Sequence, residues 1–261
     1  VQVTVLQSGI WQTNSSVVSV GGAVLVIDPA YFPRELDAIA AAAQAAGEVA
    51  AVVFTHGHWD HVMGHAALPA VPVWLSSVLD AAIAADDPRA AQHLADARDF
   101  DGRWYVPRPH GHRWPATRRP IADGEAVPLG PLTARAMHLP GHSPDGLALR
   151  IADTLWCGDY LSPCEIPFID DAPAYRATLA RLRAELADVA AVIPGHGPRL
   201  TAAAATAICD EDLAYLDRLL AAPDAAAAAA IPLPRAAAVP GMRDHHAANC
   251  AKVGRAAAAA G

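Results

Sequence analysis

Seven residues of this 261-residue chain have the types and spacing to hold metal ions. Four fall together in Thr55-His56-Gly57-His58-Trp59-Asp60-His61, and three stand alone downstream, each in a glycine-containing turn. These are His142 in Pro140-Gly141-His142-Ser143-Pro144, Asp159 in Cys157-Gly158-Asp159-Tyr160, and His196 in Pro194-Gly195-His196-Gly197-Pro198. Imidazole and carboxylate are first-choice ligands for divalent first-row metals. Packing them this closely is unfavourable without an ion, because buried charges and unpaired polar groups are penalised. Residues two apart in extended chain point to the same side, so His56 and His58 aim at one point, with Asp60 and His61 facing a neighbouring one. The spacing predicts His56, His58 and His142 on one ion, Asp60, His61 and His196 on a second, and Asp159 bridging. Two ions roughly 3.5–4 Å apart can share a hydroxide. A set of imidazoles and carboxylates without thiolate suits Zn²⁺, Fe or Mn, and two divalent ions, zinc first, are expected.

These residues need strand ends to carry them. Residues 1–6 alternate apolar and polar, and 16–20 and 23–27 are β-branched runs separated by Gly21-Gly22, a hairpin signal. Asp28-Pro29 ends that segment. A helix is expected over 35–46, closed by Gly47, and a buried strand over 49–54 that runs into the His/Asp motif. Loops at strand ends are where function sits in layered α/β folds. A short helix near Val62, a strand over 71–75 and a helix over 76–97, interrupted at 86–88, follow. Residues 100–120, rich in Pro and Arg and lacking periodicity, predict a long irregular loop that either lines a substrate mouth with Trp104, Tyr105, His110, His112 and Trp114 or is pinned to the body by them. The second half has strands over 132–139, 147–151, 154–157 and 189–193, a helix over 173–187 with Leu179, Leu182 and Leu186 on one face, and a helix over 201–220. Segment 221–240, Ala-rich and then Pro-rich, reads as a linker or surface loop. Residues 243–253 can be helical, and the 256–260 tail is expected to fray. Two halves, about 1–120 and 121–261, form a single domain over 1–261 and predict an α/β fold of two facing sheets with helices outside.

Composition narrows the partners. The formal charge of −8 argues against a nucleic-acid backbone and an anionic membrane surface, and no uncharged apolar stretch has membrane-spanning length. The four cysteines, Cys157, Cys164, Cys209 and Cys250, form no CxxC pair and read as buried small apolar side chains. The first residues lack a basic n-region, so a cytoplasmic protein is expected, although a chain opening on Val1 leaves a trimmed leader open. A small-molecule substrate is the expected partner; oligomeric state is not legible. The other histidines, His65, His93, His110, His112, His138, His245 and His246, default to the surface or to supporting positions, with His245, His246 and Asn249 candidates for the site mouth.

His56-x-His58-x-Asp60-His61, followed in order by His142, Asp159 and His196, resembles the metallo-β-lactamase superfamily over nearly the whole chain. The strand pair ending Val26-Ile27-Asp28-Pro29 is similar to the family's opening, with Ala30 where glycine is common. The resemblance implies a four-layer αββα sandwich with the site between the edges of two sheets. True zinc β-lactamases of the superfamily lack an aspartate at the bridging position, so Asp159 implies the hydrolase branches. No Asn-Pro-Phe-x-Arg segment of glyoxalase II is present, and Ser162 stands where quorum-signal lactonases carry tyrosine.

The resemblance therefore implies a dinuclear hydrolase of a small ester, thioester or lactone, with a metal-bridging hydroxide attacking the carbonyl. Tyr160 or His246 would help stabilise the oxyanion, and Asp60 would orient the nucleophile and relay its proton. Trp59, Tyr160 and Phe168 would furnish apolar walls for the substrate. Two alternatives keep the same ligand pattern: an iron-dependent oxygenase resembling persulfide dioxygenases, and a phosphodiesterase using arginines 103, 108, 113, 118 and 119.

Overall fold

The elements that carry the motif begin with three antiparallel strands, β1(Gln2–Gln7), β2(Asn14–Val20) and β3(Ala23–Ile27). A computed structural model describes residues 1–260, with side chains through residue 254. Gly21 and Gly22 turn the β2–β3 hairpin at φ +58° and +90°, the left-handed values a tight right-twisting hairpin requires. Helix α1(Pro33–Ala46) starts two residues earlier than its periodicity predicts, because Pro33 occupies the first turn, where a missing N–H is harmless. The Glu35 carboxylate accepts the N–H groups of Phe32, at 3.1 Å, and Gly9, at 2.8 Å, and the Ser8 hydroxyl at 2.6 Å. One side chain thus caps the helix and fastens the loop between β1 and β2.

From α1 the chain enters β4(Glu48–Val53), which pairs parallel to β3. After the motif and the short α2(Trp59–Val62) come β5(Val73–Ser76), α3(Ser77–Ala84), α4(Pro88–Trp104) and β6(Arg118–Ile121). β5 and β6 extend the sheet in parallel. Its central strands are buried on both faces, as their unbroken apolar runs require. Leu36, Ile39 and Ala43 of α1 pack with Val24, Val26, Phe54 and Leu75 beneath it.

The irregular loop expected over 100–120 is shorter than predicted, about 105–117. At its start, α4 continues to Trp104 because Ala90, Ala97 and Asp101 share its buried face. Asp101 accepts hydrogen bonds from the Tyr31 hydroxyl, at 2.7 Å, and Arg108 Nε, at 2.6 Å, with His112 Nε2 at 2.8 Å. Burial raises the Asp101 carboxyl pKa, but these partners outweigh it and hold the group below its usual value. At its end, residues 118–121 join β5 as a strand, with Pro120 tolerated on the outer edge. The remaining loop is pinned to the body through Asp101, and Trp114 Nε1 adds a bond to Ala90 O at 3.3 Å.

Contacts divide the chain into two units, Val1–His138 with Asp145–Ala152, and Leu139–Pro144 with Asp153–Gly261. The first unit also holds an antiparallel meander of β7(Ala126–Leu129), β8(Leu132–His138) and β9(Leu147–Ile151). In the second unit, β10(Thr154–Trp156) pairs parallel to β11(Ala191–Ile193), and β12(Leu200–Thr201) pairs antiparallel to β11. Helix α5(Ala172–Glu185) lies between β10 and β11 in sequence, and α6(Ala202–Leu220), α7(Ala225–Ala229) and α8(Met242–Ala260) follow β12. Leu179, Leu182 and Leu186 are buried as their spacing predicts. The Ala/Pro-rich segment is fastened rather than loose: Arg235 donates to both Asp212 carboxylate oxygens, at 2.6 and 3.0 Å, and to Ser162 O at 2.7 Å. Cys157 and Cys209 are buried as expected, whereas Cys164 and Cys250 are only partly covered. The side chains of the 256–260 tail lie outside the described residues. No helix among the described residues is long and apolar enough to cross a membrane.

Candidate metal centre

The first unit assembles four of the expected ligands at the end of β4. The His56 ring centroid lies 4.5 Å from that of His58 and 4.3 Å from that of His61. His58 precedes the first turn of α2, which places Asp60 and His61 on that turn. His56, Asp60 and His61 are buried, and Asp60 Oδ2 is 3.3 Å from His61 Nε2 and accepts the Thr13 hydroxyl at 3.1 Å.

Behind the ligands stands Asp28, read from the sequence only as a strand terminator. Its Oδ1 accepts the Thr55 N–H at 2.8 Å, and its Oδ2 accepts the Thr55 hydroxyl at 2.6 Å and lies 3.1 Å from His61 Nδ1. Thr55 Oγ1 is in turn 3.2 Å from His56 Nδ1. With its proton given to Asp28, the hydroxyl accepts from His56 Nδ1–H. Both rings then carry the proton on Nδ1 and present the Nε2 lone pair forward, the tautomer a metal ligand needs. The available signal was positional: Asp28 ends β3 at the same sheet edge where the neighbouring parallel β4 ends in the motif.

Asp28→Ala is expected to destabilise the protein by about 2–4 kcal/mol, because three buried donors lose their acceptor. Asp28→Asn, which retains an acceptor and tolerates the φ of +49° at this position, should lose less. Urea unfolding checks both; equal stability of Asp28→Ala and wild type would refute the assignment.

The second unit assembles the other three ligands. His142 Nε2 lies 3.2 Å from Asp159 Oδ2, and His196 Nε2 lies 3.3 Å from Asp159 Oδ1, with all three side chains nearly buried. His142 Nδ1 is 3.0 Å from Phe168 O. A carbonyl oxygen only accepts, so Nδ1 carries a proton, and in the neutral ring Nε2 presents a lone pair to the carboxylate. A lone pair facing a carboxylate oxygen at this distance is unfavourable by itself and is satisfied by a cation held between them. Asp60 with His61 repeats the pairing in the first unit. The residues therefore fit divalent metal ions, and the nitrogen and oxygen donors suit zinc, iron or manganese.

Tyr160 and His246 do not take the roles expected of them. Tyr160 is buried, accepts the His142 N–H at 3.0 Å and donates to Pro140 O at 2.9 Å. Burial also pushes its hydroxyl pKa well above its usual value. It holds the 139–142 turn and has no proton to offer a substrate. His246 is buried on α8 with Nδ1 2.8 Å from the Tyr215 hydroxyl, which commits the ring to an internal network.

His93, expected at the surface or in a supporting position, lies beside the ligands with its ring 5.1 Å from that of His58. Asp145 places Oδ2 3.0 Å from where a β-carbon on Gly57 would stand. Trp59 stacks edge-on against Trp11 and Tyr31, at 5.2 and 4.9 Å, giving the first unit an aromatic wall beside Asp60. Arg108, Arg118 and Arg119, considered above as phosphate clamps, are paired with Asp101, Asp80 and Glu125.

The model of the metallo-beta-lactamase superfamily matches residues 8–196. The atrochrysone carboxyl ACP thioesterase AgnL7 of Paecilomyces divaricatus is 30% identical over 190 residues, covering 71% of this chain and 50% of its own. The chain thus spans about half the length of that curated relative. Among solved structures, TTHA1623 in a di-iron-bound form is 27% identical, with a TM-score of 0.57, covering 77% of this chain and 96% of its own. The metallo-beta-lactamase family protein TTHA1429 from Thermus thermophilus, 18% identical, has a TM-score of 0.69 over 99% of this chain and 93% of its own, a likeness of fold.

Proposed function

The chain belongs to the metallo-β-lactamase superfamily, and from that premise we propose that it is a metal-dependent hydrolase acting on a small-molecule thioester, ester or lactone. Its fold is the expected α/β sandwich of that superfamily, built on two mixed sheets. The thioester stands first because AgnL7 is named a thioesterase.

The observation that carries the reading is the Nε2-to-carboxylate pairing found in both units. We assign His56, His58 and His142 to one ion, Asp60, His61 and His196 to the other, and Asp159 to both, because nitrogen and carboxylate donors of these types suit such ions. Zinc is the first choice, with iron supported by the di-iron form of TTHA1623. When bound there, the ions supply Lewis acidity and make water a nucleophile near neutral pH. The chain's own residues do the positioning. Asp28 and Thr55 fix the His61 and His56 rings, Phe168 O fixes His142, and Thr13 holds Asp60 Oδ2. Held this way, Asp60 can carry a proton toward the leaving group. The Trp11–Trp59 pair suits an apolar acyl chain.

The test combines elemental analysis with a panel of thioester, ester, lactone, phosphodiester and β-lactam substrates. Two divalent ions per chain and thioester turnover above the phosphodiester and β-lactam rates are expected. One iron with oxygen uptake would replace the reading with the oxygenase alternative, and protein that takes up no metal would end it.

A further inference from the structure

Helix α8 lies beyond the residues that the superfamily model matches, yet it reaches a proposed ligand. Asn249, 2% exposed, uses its whole amide in a single task. Its Nδ2 donates to Pro167 O at 2.7 Å and to the Tyr215 hydroxyl at 3.2 Å, and its Oδ1 accepts the Ile169 N–H at 3.1 Å. The residue gripped on both sides is Phe168, whose carbonyl accepts from His142 Nδ1 at 3.0 Å.

Neighbouring contacts hold the same segment. The N–H groups of Asp170 and Asp171 donate to Gly141 O at 2.7 and 2.9 Å, next to His142 in the chain. The His245 ring packs on Phe168 at 3.7 Å between centroids, and Lys252 Nζ lies 3.4 Å from Asp170 Oδ1. An amide that clamps the two peptides flanking a carbonyl fixes where that carbonyl points. The Ile169 N–H shares a planar peptide with the Phe168 carbonyl, so rotating that carbonyl breaks the bond to Asn249 Oδ1, while the bond to Pro167 O holds the preceding peptide.

We infer that Asn249 is a positioning residue, through which α8 holds the Phe168 carbonyl and with it the tautomer and aim of His142. This deepens the metal-centre reading and rests on it. The ion assigned to His142 then depends on α8, while the ion assigned to Asp60, His61 and His196 does not. The chain's affinity for its two ions is therefore asymmetric under α8 variants.

The test titrates metal-free full-length protein with Zn²⁺ against a chromogenic chelator, for wild type, Asn249→Ala, Asn249→Asp and Cys250→Ser. Asn249→Ala should weaken one ion by about 10–100-fold, the usual effect of removing a group that orients a ligand, and leave the other unchanged. Asn249→Asp keeps the shape and the acceptor for Ile169 but loses the donor to Pro167 O. It should fall between wild type and alanine, and it carries the test if the alanine variant folds poorly. Cys250→Ser, on the same helix, should match wild type. A second readout needs no metal: the His142 Nδ1–H resonance in ¹H–¹⁵N spectra should be protected in wild type and lost in Asn249→Ala. Wild-type affinity for both ions in Asn249→Ala, with the resonance retained, would overturn the inference. Wild type that binds no zinc, yet shows the resonance lost on substitution, would overturn the metal reading and leave the brace standing.

Discussion

Asp159→Ala should lower kcat/KM for the best thioester by at least about 10³-fold, roughly 4 kcal/mol of transition-state stabilisation. His142 Nε2 lies 3.2 Å from one oxygen of this carboxylate and His196 Nε2 lies 3.3 Å from the other. In the proposed centre it is the group shared by both ions, so its removal affects both. Stability should respond in the opposite sense to activity. A nearly buried carboxylate is costly when no cation neutralises it, so the metal-free variant should melt at or above the wild-type temperature. The gain in Tm on adding zinc, which follows mass action on the folded state, should largely vanish. The decisive comparison is between metal-free and zinc-loaded melts of both proteins. Wild-type zinc stabilisation together with wild-type turnover in the variant would remove Asp159 from the centre.

Gly141→Ala should be the most destabilising single-methyl addition near the site, by about 3–5 kcal/mol or more. The residue has φ +127°, and a β-carbon there would lie 2.3 Å from both the N and Cα of Tyr175. Those are backbone atoms in the first turns of α5, so no side-chain rotation relieves the clash. The same glycine accepts the N–H groups of Asp170 and Asp171 and donates to Ser143 O at 3.1 Å. Moving α5 away would therefore also pull apart the turn that aims His142. Gly102→Ala is the control: on α4, nothing lies within 4 Å of its added methyl, and the change should be neutral or stabilising by up to about 1 kcal/mol. Urea midpoints for the two variants check the contrast. Similar midpoints would show that the close approach of Gly141 to α5 does not govern this region.

The linear sequence determined the strand ends and the candidate ligands because both are written in local patterns. An apolar run meeting His56-x-His58-x-Asp60-His61, and single candidates in glycine-containing turns after β8, β10 and β11, can be read within windows of a few residues. Helices α1, α5 and α6 were legible for the same reason, since a buried face repeats every three or four positions. Residues 100–104 and 118–121 were misread because what orders them is remote. Asp101 turns inward to meet Tyr31, 70 residues away, and β6 exists only by pairing with β5.

The groups behind the ligands were hidden on the same grounds. Asp28 reaches Thr55 and His61 across 27 and 33 residues, and Asn249 reaches Ile169 across 80. Tyr160 and His246 had the right chemistry for catalysis, but only tertiary structure could show their polar atoms already bonded to Pro140 and Tyr215. Periodicity and spacing record what a residue is and which way its own element turns it. Which remote donor or acceptor satisfies a buried polar atom is decided when the chain closes on itself, and that choice distinguishes a ligand or catalytic group from a brace.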